Sequence, residues 1–165
     1  MKTKSVKSAY FIAQAAMIAA LYVVLTMLFA PISFSEVQVR ISEALTILPL
    51  FTPAAIPGLF IGCIIANVMG GCVIWDIVFG SIATLLGAFF GYLLRGNRYL
   101  VPIPAIAANT VIIPLVLRYA YGINLPMIVL ILSIAAGEII SCYVLGEILG
   151  TILLRYKDVI FKNAQ

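Results

Sequence analysis

VQVRISEALTILPLFTPAAIPGLFIGCIIANVMGG, residues 37–71, is the stretch whose reading decides the fold. It sets Glu36, Arg40 and Glu43 at the mouth of an apolar segment, breaks that segment at Pro49, Pro53 and Pro57, and closes on Asn67 and Gly70-Gly71. Charge, helix breaker and amide are gathered in one place. In a chain that is otherwise lipid-soluble helix, irregular backbone flanked by ionisable side chains survives only where protein or a water-filled cavity satisfies its polar groups. The stretch therefore predicts a binding site.

The composition around it sets the class. Of 165 residues, 64% are hydrophobic and 10% charged, against about a quarter charged in a soluble domain. The chain reads as an all-α integral membrane protein, a single transmembrane domain over residues 1–165. It holds no hydrophilic stretch large enough for a nucleotide-binding domain and no GxxxxGK[ST] run, so any energy source is expected in other chains. The net charge of +4 sits mostly at Lys2, Lys4 and Lys7, at Arg95 and Arg98, and at Arg155, Lys157 and Lys162. That distribution is a topology signal and not a nucleic-acid surface. Cys63, Cys72 and Cys142 have no CxxC spacing and there is no histidine. Neither a disulfide framework, a metal centre nor a cofactor is expected, and a Ser-His-Asp triad is excluded.

Outward from the deciding stretch, six helices are predicted. The first covers residues 9–29, too long for a signal-peptide core of 7–15 residues, and enough for a hydrocarbon layer of about 30 Å. Ala9, Ala13, Ala16 and Ala20 form a flat seam on it, with Ala15 and Ala19 as a second register. Such seams let helices approach closely, within the protein or against another subunit. Residues 41–50 and 54–68 make helices two and three, short and Pro-interrupted. Residues 75–94 form the fourth, with close-packing positions at Gly80, Ser81, Ala83, Gly87, Ala88 and Gly91. Residues 99–117 form the fifth, kinked by Pro102, Pro104 and Pro114, and residues 125–154 a long sixth. Six crossings put all three basic groups on one side, the expected cytoplasmic face, with both termini there. Fusing helices two and three would place Arg95 and Arg98 outside, so five crossings are rejected.

Glu43, Asn67, Trp75 and Asp76 then fall at similar outer depths, with Asn109 midway along helix five and Glu138 near mid-membrane. An ionised carboxylate there costs about 2.5–3.5 kcal/mol on insertion scales. Glu138 is expected to line the cavity; the competing reading is an ion pair with Arg118 or Arg40. Asp76 and Trp75 fit either a helix cap with an interfacial aromatic or a ligand acceptor with a stacking face. Arg40 and Glu43, three apart, pair with each other or serve the ligand. Glu147 reads as a packing or partner-facing residue. Carboxylates, amides and one aromatic face suit a planar, donor-rich small molecule, and a phosphate would need more cations.

The runs RISEALTILPLF, PGLFIGCIIAN and WDIVFGSIATLLGA resemble the queuosine-precursor family of substrate-binding S components of energy-coupling factor transporters. The resemblance runs from about Ala9 to the end of the last helix. It implies a six-helix S-component-like bundle in the cell membrane of a bacterium that binds a 7-deazaguanine, such as preQ1 or queuine, from outside. Its implied partners are a transmembrane coupling subunit and two ATP-binding-cassette ATPases, with delivery by toppling of the loaded body. It also implies that Ala16 and Ala20 dock on the coupling subunit. In this reading Glu138 meets the ring N–H and exocyclic amine, Asn67 or Asn109 the carbonyl, Trp75 stacks, and Glu43 or Asp76 meets an aminomethyl ammonium. The alternatives are an S component for another base or vitamin-like molecule, a small membrane enzyme, and a structural membrane protein.

Overall fold

The computed structural model describes residues 2–33 and 39–160; Glu36, Lys162 and the centre of the 31–40 loop lie outside the described residues. Helix α1 covers Lys2–Leu28 and is followed by the short α2, Ala30–Ser33. A 3-10 helix, Ile41–Leu50, leads to α3, Ala55–Met69, and α4, Ile74–Leu93. After a 3-10 turn at Arg98–Leu100 come α5, Ile103–Tyr119, and α6, Met127–Glu138. A π-helical segment, Ile139–Leu145, then carries the chain into α7, Gly146–Ile160. No strand occurs among the described residues. Four segments are long and apolar enough to cross a membrane, 8–28, 74–93, 98–119 and 127–156, with the shorter apolar helices Ile41–Leu50 and Ala55–Met69 between them.

Direction follows from who touches whom. A Cβ on Gly58 would meet Ala15 and Ile18, and one on Gly62 would meet Ala19 and Tyr22, so α3 runs parallel to α1. Gln14 bonds to Thr52 beyond the 3-10 helix, whereas Thr26 bonds to Ser42 at its start, so that helix runs antiparallel to α1. Gly87 packs on Ala105 and Gly91 on Val101, which makes α4 and α5 antiparallel. Direction alternates through the whole series. Arg98 Nε lies 3.1 Å from Glu147 Oε2, so the α4–α5 turn and the start of α7 share one end of the bundle. Glu147 thus packs within the protein as an ion-pair partner of Arg98.

The two glycine pairs are four residues apart, and lacking side chains they let backbones meet where Leu or Ile would hold them apart. On the α1 side of that contact the two alanine registers separate: Ala19 is buried and Ala15 half-buried, while Ala9, Ala13, Ala16 and Ala20 are exposed. The prolines separate too. Pro102 is the residue before α5 and Pro104 lies in its first turn, where a missing N–H costs nothing; only Pro114 is interior.

The Pro49 segment is wound as a 3-10 helix for all 10 residues. At about 2.0 Å per residue it extends about 20 Å, where an α-helix would extend about 15 Å. Its period of three stacks residues in columns. Leu45 and Leu48 join the core with Ile18, Leu59 and Cys63, Ala44 and Ile47 face Gly146 and Gly150 of α7, and Glu43 and Thr46 form the remaining column. All of residues 42–49 are buried.

A β-carbon at residue 62 lands 2.8 Å from Tyr22 Cβ and 3.1 Å from Ala19 backbone atoms, whereas one at Gly96 meets nothing within 4 Å. Gly62→Val is expected to destabilise the fold by about 1–3 kcal/mol and lower the melting temperature in detergent. Gly96→Ala is expected to leave it unchanged, and equal melting of the two variants would refute the α1–α3 contact.

Candidate functional site

Helices α1, α3, α4, α5 and α6 each deliver a buried polar side chain to the interior of the bundle. On α1, Gln14, Ile18, Tyr22 and Thr26 recur every four residues on the face opposite the exposed alanines, and all are buried. The Tyr22 hydroxyl donates a short hydrogen bond to Glu43 Oε1. Glu43 is 1% exposed, and its Oε2 has no hydrogen-bond partner. Thr46, one 3-10 turn on, donates to the Glu43 carbonyl.

Glu138 closes the same group from α6. It lies eleven residues into the helix from Met127, about 16 Å along its axis, at the junction with the π-helical segment. That wider turn brings Cys142 round so that its thiol donates to Glu138 Oε2 at 3.1 Å. Asn109 of α5, also buried, flanks the Glu138 carboxylate. Ligand atoms of Glu43, Glu138 and Cys142 lie within 4.8 Å of one another. No spacing in the sequence signals that cluster, because its members come from helices about a hundred residues apart. π-Helical segments inside α-helices frequently occur at functional sites.

A second group sits at the end where α4 begins. Asp76 is 1% exposed; its Oδ2 accepts from the Tyr121 hydroxyl at 2.9 Å and lies 4.0 Å from Arg40 NH2. Arg40 also donates from Nε to the Ser33 carbonyl at 3.4 Å. Asn67 Nδ2 reaches the Asp76 carbonyl at 3.5 Å and Cys63 Sγ at 3.6 Å, leaving Oδ1 without a partner. Gly80 makes room: a Cβ there would stand 3.2 Å from Asp76 Oδ1 and 3.3 Å from Asn67 Nδ2. The Arg40 guanidinium lies within electrostatic range of Glu43 and Glu138 as well, which joins the two groups.

Of the seven ligand-site residues expected from sequence, Arg40, Glu43, Asn67, Asp76, Asn109 and Glu138 are buried in these two groups, and Trp75 is set apart. Its ring is 57% exposed and stacks on Phe79 at 5.9 Å. It lines an apolar groove of about 570 Å³ with Phe79, Ile82, Leu115 and Tyr119 on the outer face of α4 and α5. That groove is lined by no carboxylate or side-chain amide, so it and the polar chemistry lie in different places. Consecutive helical residues point about 100° apart, which sends Asp76 inward and Trp75 outward. Asp76 makes no capping hydrogen bond to α4. Arg40 pairs with Asp76 in preference to Glu43, and Arg118 donates to the Leu125 carbonyl at 2.7 Å, away from Glu138. Glu138, expected to line a cavity, is 4% exposed and Asn67 1% exposed, a closed arrangement.

Tyr22, Tyr121 and Cys142 were missed from sequence. The four-residue polar stripe on α1 is the signal that could have identified Tyr22. For Tyr121, in the loop after α5 beside the positive-φ Gly122, there was none. Burial, and then the Asp76 carboxylate, push the Tyr121 hydroxyl above its ordinary range, so it stays a hydrogen-bond donor.

An all-helical, multi-pass membrane protein with a polar interior lined from several helices is the class that this fold and site define. Residues 12–155 match the QueT transporter family, and the chain belongs to it. It is 37% identical over 87 residues to the queuosine precursor transporter QueT of Lactococcus lactis subsp. cremoris (strain MG1363). That match covers 52% of this chain and 51% of the relative, about half the length of each. No solved structure matches the chain significantly.

Cys72, half-buried in the turn before α4, has its thiol pushed up by burial and then by Asp76. Its thiolate fraction near pH 8 is therefore below that of a free cysteine, and it grows as pH rises. Maleimide labelling of Cys72 is expected to be several-fold slower than that of a cysteine peptide and faster in Asp76→Asn. A rate in Asp76→Asn equal to that of the unaltered protein would remove the carboxylate from the Cys72 environment.

Proposed function

We propose that this chain is the substrate-specific membrane subunit, the S component, of an energy-coupling factor importer, and that it takes up a queuosine precursor of the 7-deazaguanine type. The observation that carries the reading is the convergence of buried carboxylates, amides and a guanidinium from distant parts of the chain on one interior. A flat base that presents N–H donors and a carbonyl side by side on one edge needs that mixture, and a lipid or a phosphate does not. Membership of the QueT transporter family and the name of the Lactococcus lactis relative support transport and point to the same class of solute.

In this proposal all six apolar helices cross the bacterial cell membrane, with Asp76 at the outer end and Arg98 and both termini in the cytoplasm. The alternating helix directions support six crossings, and the basic residues at 95, 98 and 155 support that orientation. Ligand entry from outside then requires Tyr121 and Arg40 to release Asp76, since both reach its carboxylate. Glu138 and Asn109 read the ring inside, and Asn67 offers its unpartnered Oδ1. The Trp75 ring plays the interfacial part of a headgroup-level aromatic. An S component for another nucleobase-like molecule is the second reading, because the same donors and acceptors serve any flat heterocycle of complementary edges.

Docking on the transmembrane coupling subunit is assigned to the exposed alanine face of α1, Ala16 and Ala20, since the competing Ala15/Ala19 register is spent on Gly58 and Gly62. Two ATP-binding-cassette ATPases complete the proposed complex and supply the energy for delivery by toppling. The chain is read as a carrier and not as an enzyme.

Two measurements test the proposal. Glu138→Gln is expected to weaken equilibrium binding of a deazaguanine about 10- to 100-fold, the equivalent of one charged hydrogen bond at about 1.5–3 kcal/mol. Unchanged affinity by calorimetry would discard the assignment. Ala16→Trp is expected to leave melting temperature and ligand binding unaltered while abolishing co-purification with the coupling subunit; normal co-purification would remove this face from the complex.

A further inference from the structure

The buried charges of the two groups do not balance. Among the described residues, Glu43, Asp76 and Glu138 oppose Arg40 alone, a net −2 with all four ionised, and each is at least 95% buried. Asp76 takes the ion pair with Arg40, at 4.0 Å. Arg118 is turned to the Leu125 carbonyl and Arg98 to Glu147 at the other end of the bundle. Glu43 and Glu138 therefore face one another within 4.8 Å, with the Cys142 sulfur inside the same distance.

Two carboxylates this close in a low-dielectric interior repel strongly unless they share a proton or a cation lies between them. The neutral groups around them offset little of that, because Tyr22 and Cys142 each serve a single oxygen. Glu43 Oε2, on a side chain 99% buried, is left with no protein donor. An acceptor oxygen enclosed in this way is costly unless it is satisfied. We propose that Glu43, Glu138 and Cys142 form a subsite for a compact cation, which seats between the two carboxylates against the sulfur.

Two sources supply such a cation. One is a thiophilic divalent metal ion, for which two carboxylate oxygens and a thiolate are three of the four ligands of a tetrahedral site. Binding it forms a metal–sulfur bond and releases to solvent the Cys142 thiol proton that is now hydrogen-bonded to Glu138 Oε2. The other is a protonated primary amine on the transported molecule, whose three N–H donors match Glu43 Oε2, Glu138 and a neighbouring acceptor. This second source rests on the transport reading above; the first does not.

Cadmium ion and a pair of bases distinguish the sources on the full chain in detergent. If the cation is a metal, Cd²⁺ binds one per chain with a ligand-to-metal absorbance band from the thiolate. That band disappears in Cys142→Ser, and binding weakens at least tenfold in Glu43→Gln. If it is an amine, no stoichiometric band forms. With a chelator present, an aminomethyl-7-deazaguanine then binds at least tenfold more tightly than the uncharged nitrile analogue, and the ratio collapses in Glu43→Gln. Absence of the band together with equal binding of the two bases overturns the proposal, as does a band that survives Cys142→Ser. Failure of both bases to bind beside a stoichiometric Cys142 band would overturn the transport reading and leave the cation subsite standing.

Discussion

A carboxylate buried among apolar helices must have its partners supplied by the protein, and Glu43 and Glu138 impose that condition on the whole bundle. Tyr22 of α1, Cys142 of the π-helical segment and Asn109 of α5 are drawn inward to meet it. Each of those contacts fixes the rotation of one helix about its own axis. Once Tyr22 faces Glu43, the Ala19 side of α1 must face α3 and the Ala16 side must face outward. A single polar requirement thereby sets which apolar surfaces remain for the core and which for lipid or another protein.

Apolar packing makes that convergence possible. Lipid is as apolar as leucine, so helices associate through close van der Waals contact more than through hydrophobic burial. Glycine pairs meet this need twice, Gly58 and Gly62 against α1 and Gly87 and Gly91 against α5. The 3-10 winding of residues 41–50 contributes a third device. Its columns of three give one thin helix three distinct faces, towards the core, towards the glycines of α7 and towards the polar interior. Two local departures from α geometry, this helix and the π-helical segment, thus flank the Glu43–Glu138 pair. The positions with the strongest polar demands coincide with the least regular backbone.

The two functional surfaces of the proposed transporter follow from the same arrangement. The interior is polar, closed and held at one end by Asp76, which Tyr121 and Arg40 both reach. The exterior of α1 is flat and apolar, free of the glycine contacts that occupy its other side. In the proposed transporter, solute handling and subunit docking would therefore lie on opposite faces of the same helix. Movement of α1 relative to the 3-10 helix would disturb the Tyr22–Glu43 bond, which is a direct mechanical connection between the two surfaces.

Much of this was legible along the chain. Hydropathy and length located the apolar helices, because crossing a bilayer is a demand made on each segment separately. Rarity made Glu43, Asn67, Asp76, Asn109 and Glu138 conspicuous, since a polar side chain in a membrane helix is costly wherever it points. Pairing was not legible. Arg40 choosing Asp76 over Glu43, Arg118 turning from Glu138 to a carbonyl, and Trp75 lying outside while Asp76 lies inside all depend on the rotation of one helix against another. So does the meeting of Glu43 with Cys142, almost a hundred residues away. Local sequence determines which segments become helices and which residues will need partners; only tertiary packing decides who those partners are, because helix rotation is set by contacts distant in the chain.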